Sequence, residues 1–243
     1  MCFSSSEPIA PGVAPARCAL IACEMIGDEL RLVMDELGCA MPVTWLDRGL
    51  HETPALLHAR LTEAIAALDG KYETILLAMA LCGKAVVGVG AAHAQLVIPR
   101  CHDCIHLLLP HEPDVHSLYL TRGWLSGERS LEAGFVRACQ VHGEKKAMRV
   151  YRTMLRNYAA VAMIDTGAYD LASACAAIRP LAERFDLRLD RCAGTARMLR
   201  ALLTGQWDGS FCCVPPGEAL RLQDFLDEPM EPAEIFIQER INS

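Results

Sequence analysis

Long apolar runs are missing from this sequence. Nothing in it approaches the roughly 18 consecutive apolar residues that a bilayer-spanning helix needs, so no membrane span is expected. An excess of positive charge is missing too: the formal net charge is −7 at pH 7 and the isoelectric point lies near 5.6. Proteins that track phosphates carry a basic face, so nucleic acid, an acidic partner and a membrane surface are all excluded as expectations. The first 17 residues, MCFSSSEPIAPGVAPAR, lack a cationic stretch followed by an apolar one. They read as a flexible leader rather than a secretion signal, and the expected location is the cytoplasm. There is no low-complexity tract and no short-period repeat.

Cysteine, in contrast, is plentiful, with twelve residues in a chain of 243. A chain of this length buries a sizeable core without staples, and a reducing compartment does not favour structural disulfides. Cys2, Cys18, Cys39, Cys139 and Cys175 each stand alone or on an apolar helical face, where a thiol behaves as a small hydrophobe.

Hydrophobic periodicity predicts strands at residues 18–23, 42–47, 74–82, 94–99, 116–121, 159–167, 187–192 and 210–216. Amphipathic helices fall at 25–38, 54–70 and 169–185. This alternation predicts an α/β fold, a mainly parallel sheet flanked by helices, in one body or as two similar halves. The charged segment 128–157 reads as a solvated helix joining those halves. The expected division is a leader at 1–17, a first half at 18–125, a second at 126–217 and a tail at 218–243.

Ligands of open parallel sheets bind beyond the carboxyl ends of the strands. Reactive residues collect there: Cys23 and Glu24 after the first run, Asp47 after the second, Cys82 and Gly83 after the third, and RCHDC (101–104 with Arg100) after the fourth. Thiolate and imidazole suit zinc, and thiolate suits an iron–sulfur cluster, so a Cys/His set gathered from several loops is able to hold either. The pair Cys101-x-x-Cys104 is by itself only half of a zinc ribbon, since no second pair follows, and adjacent Cys212 and Cys213 do not replace it. A redox reading stands beside the metal one, because a C-x-x-C between a strand and a helix start favours a thiolate. That reading leaves Cys23 and Cys82 without a role.

The segments IACEMIGDEL, WLDRGLHETPALL, ILLAMALCGKAVVGV, LVIPRCHDCIHLLL, YLTRGW and PPG resemble an uncharacterised bacterial and archaeal domain-of-unknown-function family over residues 18–217. The combination of LCG with PR-x-HDC carries the likeness. The resemblance implies that Cys23, Cys82, His102 and Cys104 are the metal ligands, with Cys101 at an unspecified position. Genes of that family commonly lie near corrinoid-dependent methyltransferases, which implies methyl-transfer or corrinoid metabolism, zinc or an iron–sulfur cluster as cofactor, a corrinoid as a further one, and a small molecule or corrinoid protein as partner. Three classes follow: a metal-dependent enzyme, a non-catalytic metal-binding or cofactor-delivery protein, and a thiol–disulfide oxidoreductase using Cys101 and Cys104.

Other positions have plainer explanations beside the functional ones. Gly88-x-Gly90 lacks the third glycine of a dinucleotide fingerprint, and close helix packing accounts for it. Arg100 and Arg122 stand at strand ends, where they hold either a cofactor's carboxylate or phosphate or an ordinary ion pair. Asp165, before Thr166 and Gly167, is either a third cofactor contact or an N-cap and turn. His51 either lines the same cleft or is an exposed loop histidine.

Overall fold

The computed structural model describes residues 17–127 and 130–226; the leader at 1–16 and the tail from 227 onward lie outside the described residues. Among the described residues the architecture is α/β, with a mixed five-stranded sheet and a parallel three-stranded sheet flanked by seven helices. No helix among the described residues is long and apolar enough to cross a membrane.

In chain order the elements are β1 (Cys18–Cys23), α1 (Gly27–Leu37), β2 (Val43–Leu46), α2 (Pro54–Leu68), β3 (Thr74–Ala78), β4 (Gln95–Pro99), β5 (Ser117–Leu120) and α3 (Arg122–Leu125). There follow α4 (Leu131–His142), α5 (Glu144–Leu155), β6 (Ala160–Asp165), α6 (Leu171–Arg184), β7 (Arg188–Ala193), α7 (Arg197–Thr204) and β8 (Phe211–Val214). Local chemistry sets many of the boundaries. Pro54 opens α2, where a missing N–H costs nothing. Asp170 caps α6 by accepting from the amides of Ala172 and Ser173. Gly38 ends α1 in the left-handed conformation, φ 59°.

The larger sheet runs β2-β1-β3-β4-β8, all parallel except the last pair. Every residue of β1 is buried, as expected for a central strand covered on both faces. Leu57, Leu61 and Ile65 of α2 fill one face, and Leu30 and Val33 of α1 with Leu199 and Leu202 of α7 fill the other. Leu61 is wholly buried, so Leu61→Ala would cost about 2–5 kcal/mol. The smaller sheet, β5-β6-β7, is covered by α4, α5 and α6.

The expected line between halves at 125 and 126 falls inside the smaller unit, because β5 precedes it and pairs with β6. The chain then returns, and α7 and β8 pack on the larger sheet. The solvated helix expected across 128–157 is instead two helices, broken at Gly143 with φ 80°. They fold back on each other, Phe135 of α4 meeting Tyr151 of α5 edge to face at 5.2 Å, and they bury Phe135, Ala147 and Leu155 in the smaller core. Gly90 serves close approach, though to the chain at Glu218 rather than to a helix: a Cβ there would sit 2.3 Å from the Glu218 carbonyl oxygen.

The two units meet through their carboxyl edges. Gly123 of α3 lies so near the turn after β1 that a Cβ would come within 2.0 Å of the Met25 carbonyl oxygen. The Thr195 amide donates to the Leu108 carbonyl across the same seam at 2.8 Å, and Arg48 donates to the Gly123 carbonyl at 3.2 Å.

Candidate functional site

The strands β1, β3 and β4 are parallel neighbours, so their carboxyl ends share one edge. The loops that leave β3 and β4 run side by side beyond it: Leu81 N donates to Cys101 O at 3.0 Å and Cys82 N to His102 O at 3.2 Å. Cys82, Gly83 and Lys84 then take three successive left-handed conformations, with φ 46°, 64° and 73°. For Cys82 and Lys84 this is strained backbone, of order 1–2 kcal/mol each.

Three thiols converge there. Cys82 Sγ and Cys104 Sγ are 3.8 Å apart. Cys23 and Cys82 both hydrogen-bond to the Cys104 thiol, which is buried, and these contacts together with its burial push its pKa well above the usual thiol range. Cys23 is buried as well and accepts from the Met25 amide at 3.4 Å, so it also caps the turn that follows β1. Cys104 is therefore a neutral thiol in the protein alone. A bound cation would reverse that, because a coordinating thiol is deprotonated outright.

The fourth expected ligand, His102, is exposed and lines an adjoining cavity, with its ring edge to face against His106 at 5.8 Å. Cys101 lines that cavity too, and its thiol is directed to the Pro99 carbonyl at 3.9 Å. Among the described residues no group of three or more His, Cys, Asp or Glu side chains has an arrangement that would hold a metal ion as it stands. The donor chemistry, three thiols from three strand ends, fits zinc or an iron–sulfur cluster.

Asp103 orders this loop. Its Oδ1 accepts from the amides of Ile105 at 2.9 Å and His106 at 3.1 Å and pairs with His106 Nδ1 at 2.8 Å. Burial works against the charge on Asp103, but the His106 ring and these amides prevail and lower its pKa.

The three expected cofactor contacts lie apart. Arg122 forms a two-pronged ion pair with Asp28 at 2.7 and 2.6 Å. Asp165 accepts from Gly167 N at 3.3 Å and makes a turn, the capping of α6 falling to Asp170. Neither lines the cavity beside His102, whereas Arg100 does. Cys212 and Cys213 alternate across β8: Cys212 faces the core and donates to Asp224 O at 3.1 Å, while Cys213 is exposed. The His51 side chain lies outside the described residues.

Two features had no signal in the sequence. Glu29 looks like an ordinary acid in the first turn of a helix, yet it is 1 % exposed, with Oε1 accepting from Thr166 Oγ1 at 3.0 Å and Oε2 without a partner. Arg197 reaches the cavity from α7, nearly a hundred positions from Arg100.

Residues 45–203 match the family described as Protein of unknown function (DUF1638), and the chain belongs to that family. The matched span holds Cys82, Cys101, His102 and Cys104 but not Cys23. No curated protein and no solved structure matches the chain.

Proposed function

We propose that this member of the family is a cytoplasmic, thiol-ligated metal protein of methyl-transfer or corrinoid metabolism, with zinc or an iron–sulfur cluster held by Cys23, Cys82 and Cys104, and with His102 completing the set. The observation that carries the reading is the meeting of three cysteines from three separate strand ends around Cys104. When bound, such a group supplies either a thiolate-activating cation or an electron carrier. The chain's own part is to gather the thiols, to exclude water around Cys104, and to fix the loop that bears His102 through Asp103. His102 stands on that loop's exposed side, so ligation by it requires the loop to turn inward. A small molecule or a corrinoid protein is the partner this reading implies, and a corrinoid the further cofactor.

The test is anaerobic purification followed by metal and sulfide analysis and an absorption spectrum. Near-stoichiometric metal in the wild type, its loss in Cys82→Ser and Cys104→Ser, and its retention in Cys101→Ser are expected. Equal metal content in all three variants would sink the proposal.

The 3.8 Å separation of Cys82 and Cys104 favours one second reading, thiol–disulfide chemistry. The pair would then be Cys82 with Cys104 rather than the C-x-x-C pair. Its neutral, buried Cys104 is a poor nucleophile, which places this reading behind the first. A metal-free protein that forms a Cys82–Cys104 disulfide with a mild thiol oxidant would reverse that order.

A further inference from the structure

Beside the thiols lies a cavity that they do not use. It has a volume of about 400 Å³, and Arg100, His102, His106, Thr195, Arg197 and Ser210 are among the residues that line it. That is the size of a metabolite site, and most of its polar groups are donors.

Arg100 is the telling residue. Its backbone is pinned by donation to the Ser210 carbonyl at 2.8 Å, and its Nε is buried with no acceptor. A guanidinium cannot shed its proton, so an unsatisfied buried N–H on it is costly unless something outside the protein accepts. Arg100 also lines a smaller pocket of about 110 Å³ with Cys212, Cys213 and Asp224, close enough for its charge to be felt by all three, but Arg221 already holds the Asp224 carboxylate at 2.7 and 3.1 Å. Among the described residues no carboxylate forms an ion pair with Arg100.

Arg197 lines the same cavity from the exposed start of α7, an eight-residue helix whose first amide, that of Arg197, already donates to Thr195 Oγ1 at 3.1 Å, so the side chain rather than the helix start supplies the positive charge. The opposing charges are few. Asp208 lies near Arg197, with its Oδ1 engaged by Ser210 N at 2.9 Å and Ser210 Oγ at 2.5 Å. Glu112 stands at the rim, 86 % exposed and 3.5 Å from His106 Nε2.

We propose that this cavity binds a small organic anion, gripped through a carboxylate or phosphate group between Arg100 and Arg197. Two guanidinium groups suit that planar or tetrahedral oxygen set better than they suit anything neutral. A molecule held there rests against Cys101 and His102. The grip by Arg100 and Arg197 uses none of the three thiols, although His102, the fourth ligand of the proposed metal set, also lines this cavity.

Isothermal titration calorimetry of the full chain with inorganic phosphate, and separately with succinate, tests this at constant ionic strength. Saturable binding of one equivalent of at least one probe is expected, with Kd of order a millimolar or tighter. Phosphate binding the tighter marks a phosphoryl ligand, and succinate the tighter a carboxylate. Arg100→Gln and Arg197→Gln should each weaken binding at least tenfold, whereas Arg60→Gln, on the exposed face of α2 and paired with Glu63, should not. Arg197 is exposed, so its variant tests the grip even where Arg100→Gln fails to fold. The Cys82→Ser variant, stripped of any metal, should still bind. Failure of both probes to saturate, equal weakening by Arg60→Gln, or loss of binding in folded Cys82→Ser would each overturn the proposal, the last by assigning the anion to the metal.

Discussion

Replacing Glu29 with Gln should stabilise the protein at neutral pH, against the usual effect of a core substitution. Glu29 sits in the seam between the units with 1 % of its surface exposed, and only one of its oxygens has a partner, Thr166 Oγ1. Burial, aided by the Asp28 charge, raises its pKa above the ordinary glutamate value; its own backbone amide, Thr166 and Arg122 act in the opposite direction and do not prevail. Arg122 is committed to Asp28, so it does not neutralise the buried charge.

The sign follows from proton linkage. Between the unfolded and the folded pKa the native state holds more of this proton, so stability falls as pH rises through that window, with a slope approaching about 1.4 kcal/mol per pH unit. Above the folded pKa the penalty stays constant. It should be about 1–3 kcal/mol, the cost of keeping the buried carboxylate ionised rather than of leaving one polar atom unpartnered, since the Gln amide nitrogen would be unpartnered too. Gln keeps the shape and the Thr166 contact and does not ionise.

Urea unfolding of wild type and Glu29→Gln, followed by tryptophan fluorescence, measures the difference. At about pH 8 the midpoint of the variant should rise by about 0.3–1 M for a slope near 3 kcal/mol per molar. At about pH 4 the two proteins should converge, since a carboxylic acid and an amide are alike there. A variant less stable than wild type by more than about 1 kcal/mol at pH 8, or a difference that ignores pH, would refute the reasoning.

Gly123→Ala should destabilise by about 3 kcal/mol, because its Cβ would stand 2.0 Å from the Met25 carbonyl oxygen; a loss under about 1 kcal/mol in the same unfolding assay would mean that the seam yields. Lys84→Gly should raise stability by up to about 1 kcal/mol through relief of its left-handed backbone, φ 73°, and should leave metal content unchanged. Asp69 offers a further pH test. Burial opposes its ionisation, but the amides of Ala92, His93 and Ala94 and the His93 ring prevail and hold its pKa at about 2. Its contribution is therefore present above the ordinary aspartate range and is lost as pH falls through about 2. Asp69→Asn should remove that acid dependence and speed amide hydrogen exchange at 92–94, and unchanged exchange would count against the anchoring.

The elements that the sequence revealed were those with a short-range signature. Among the described residues seven of the eight strands fall within the apolar runs and β7 overruns its run by Ala193 alone, while α1, α2 and α6 fall within the amphipathic stretches, because alternation and the helical period are local properties of burial. The break at Gly143 was missed because a charged segment conceals how its apolar residues divide between two helices. The position of β8 was missed for a different reason: a return to β4 from more than a hundred residues away leaves no local mark.

At the candidate site the same distinction holds. Sequence by itself determined that thiols stand at or just beyond the ends of three strands of a parallel sheet, since composition and strand periodicity are written in order along the chain. Which strands are neighbours, and so whether Cys23, Cys82 and Cys104 meet, was decided only by the tertiary fold through the pairing β1-β3-β4. The fold alone also turned His102 outward, committed Arg122 to Asp28, and buried Glu29 against Thr166. The physical reason is that a side chain's periodicity follows its own neighbours in sequence, whereas its solvation and its partners depend on segments that only packing brings near.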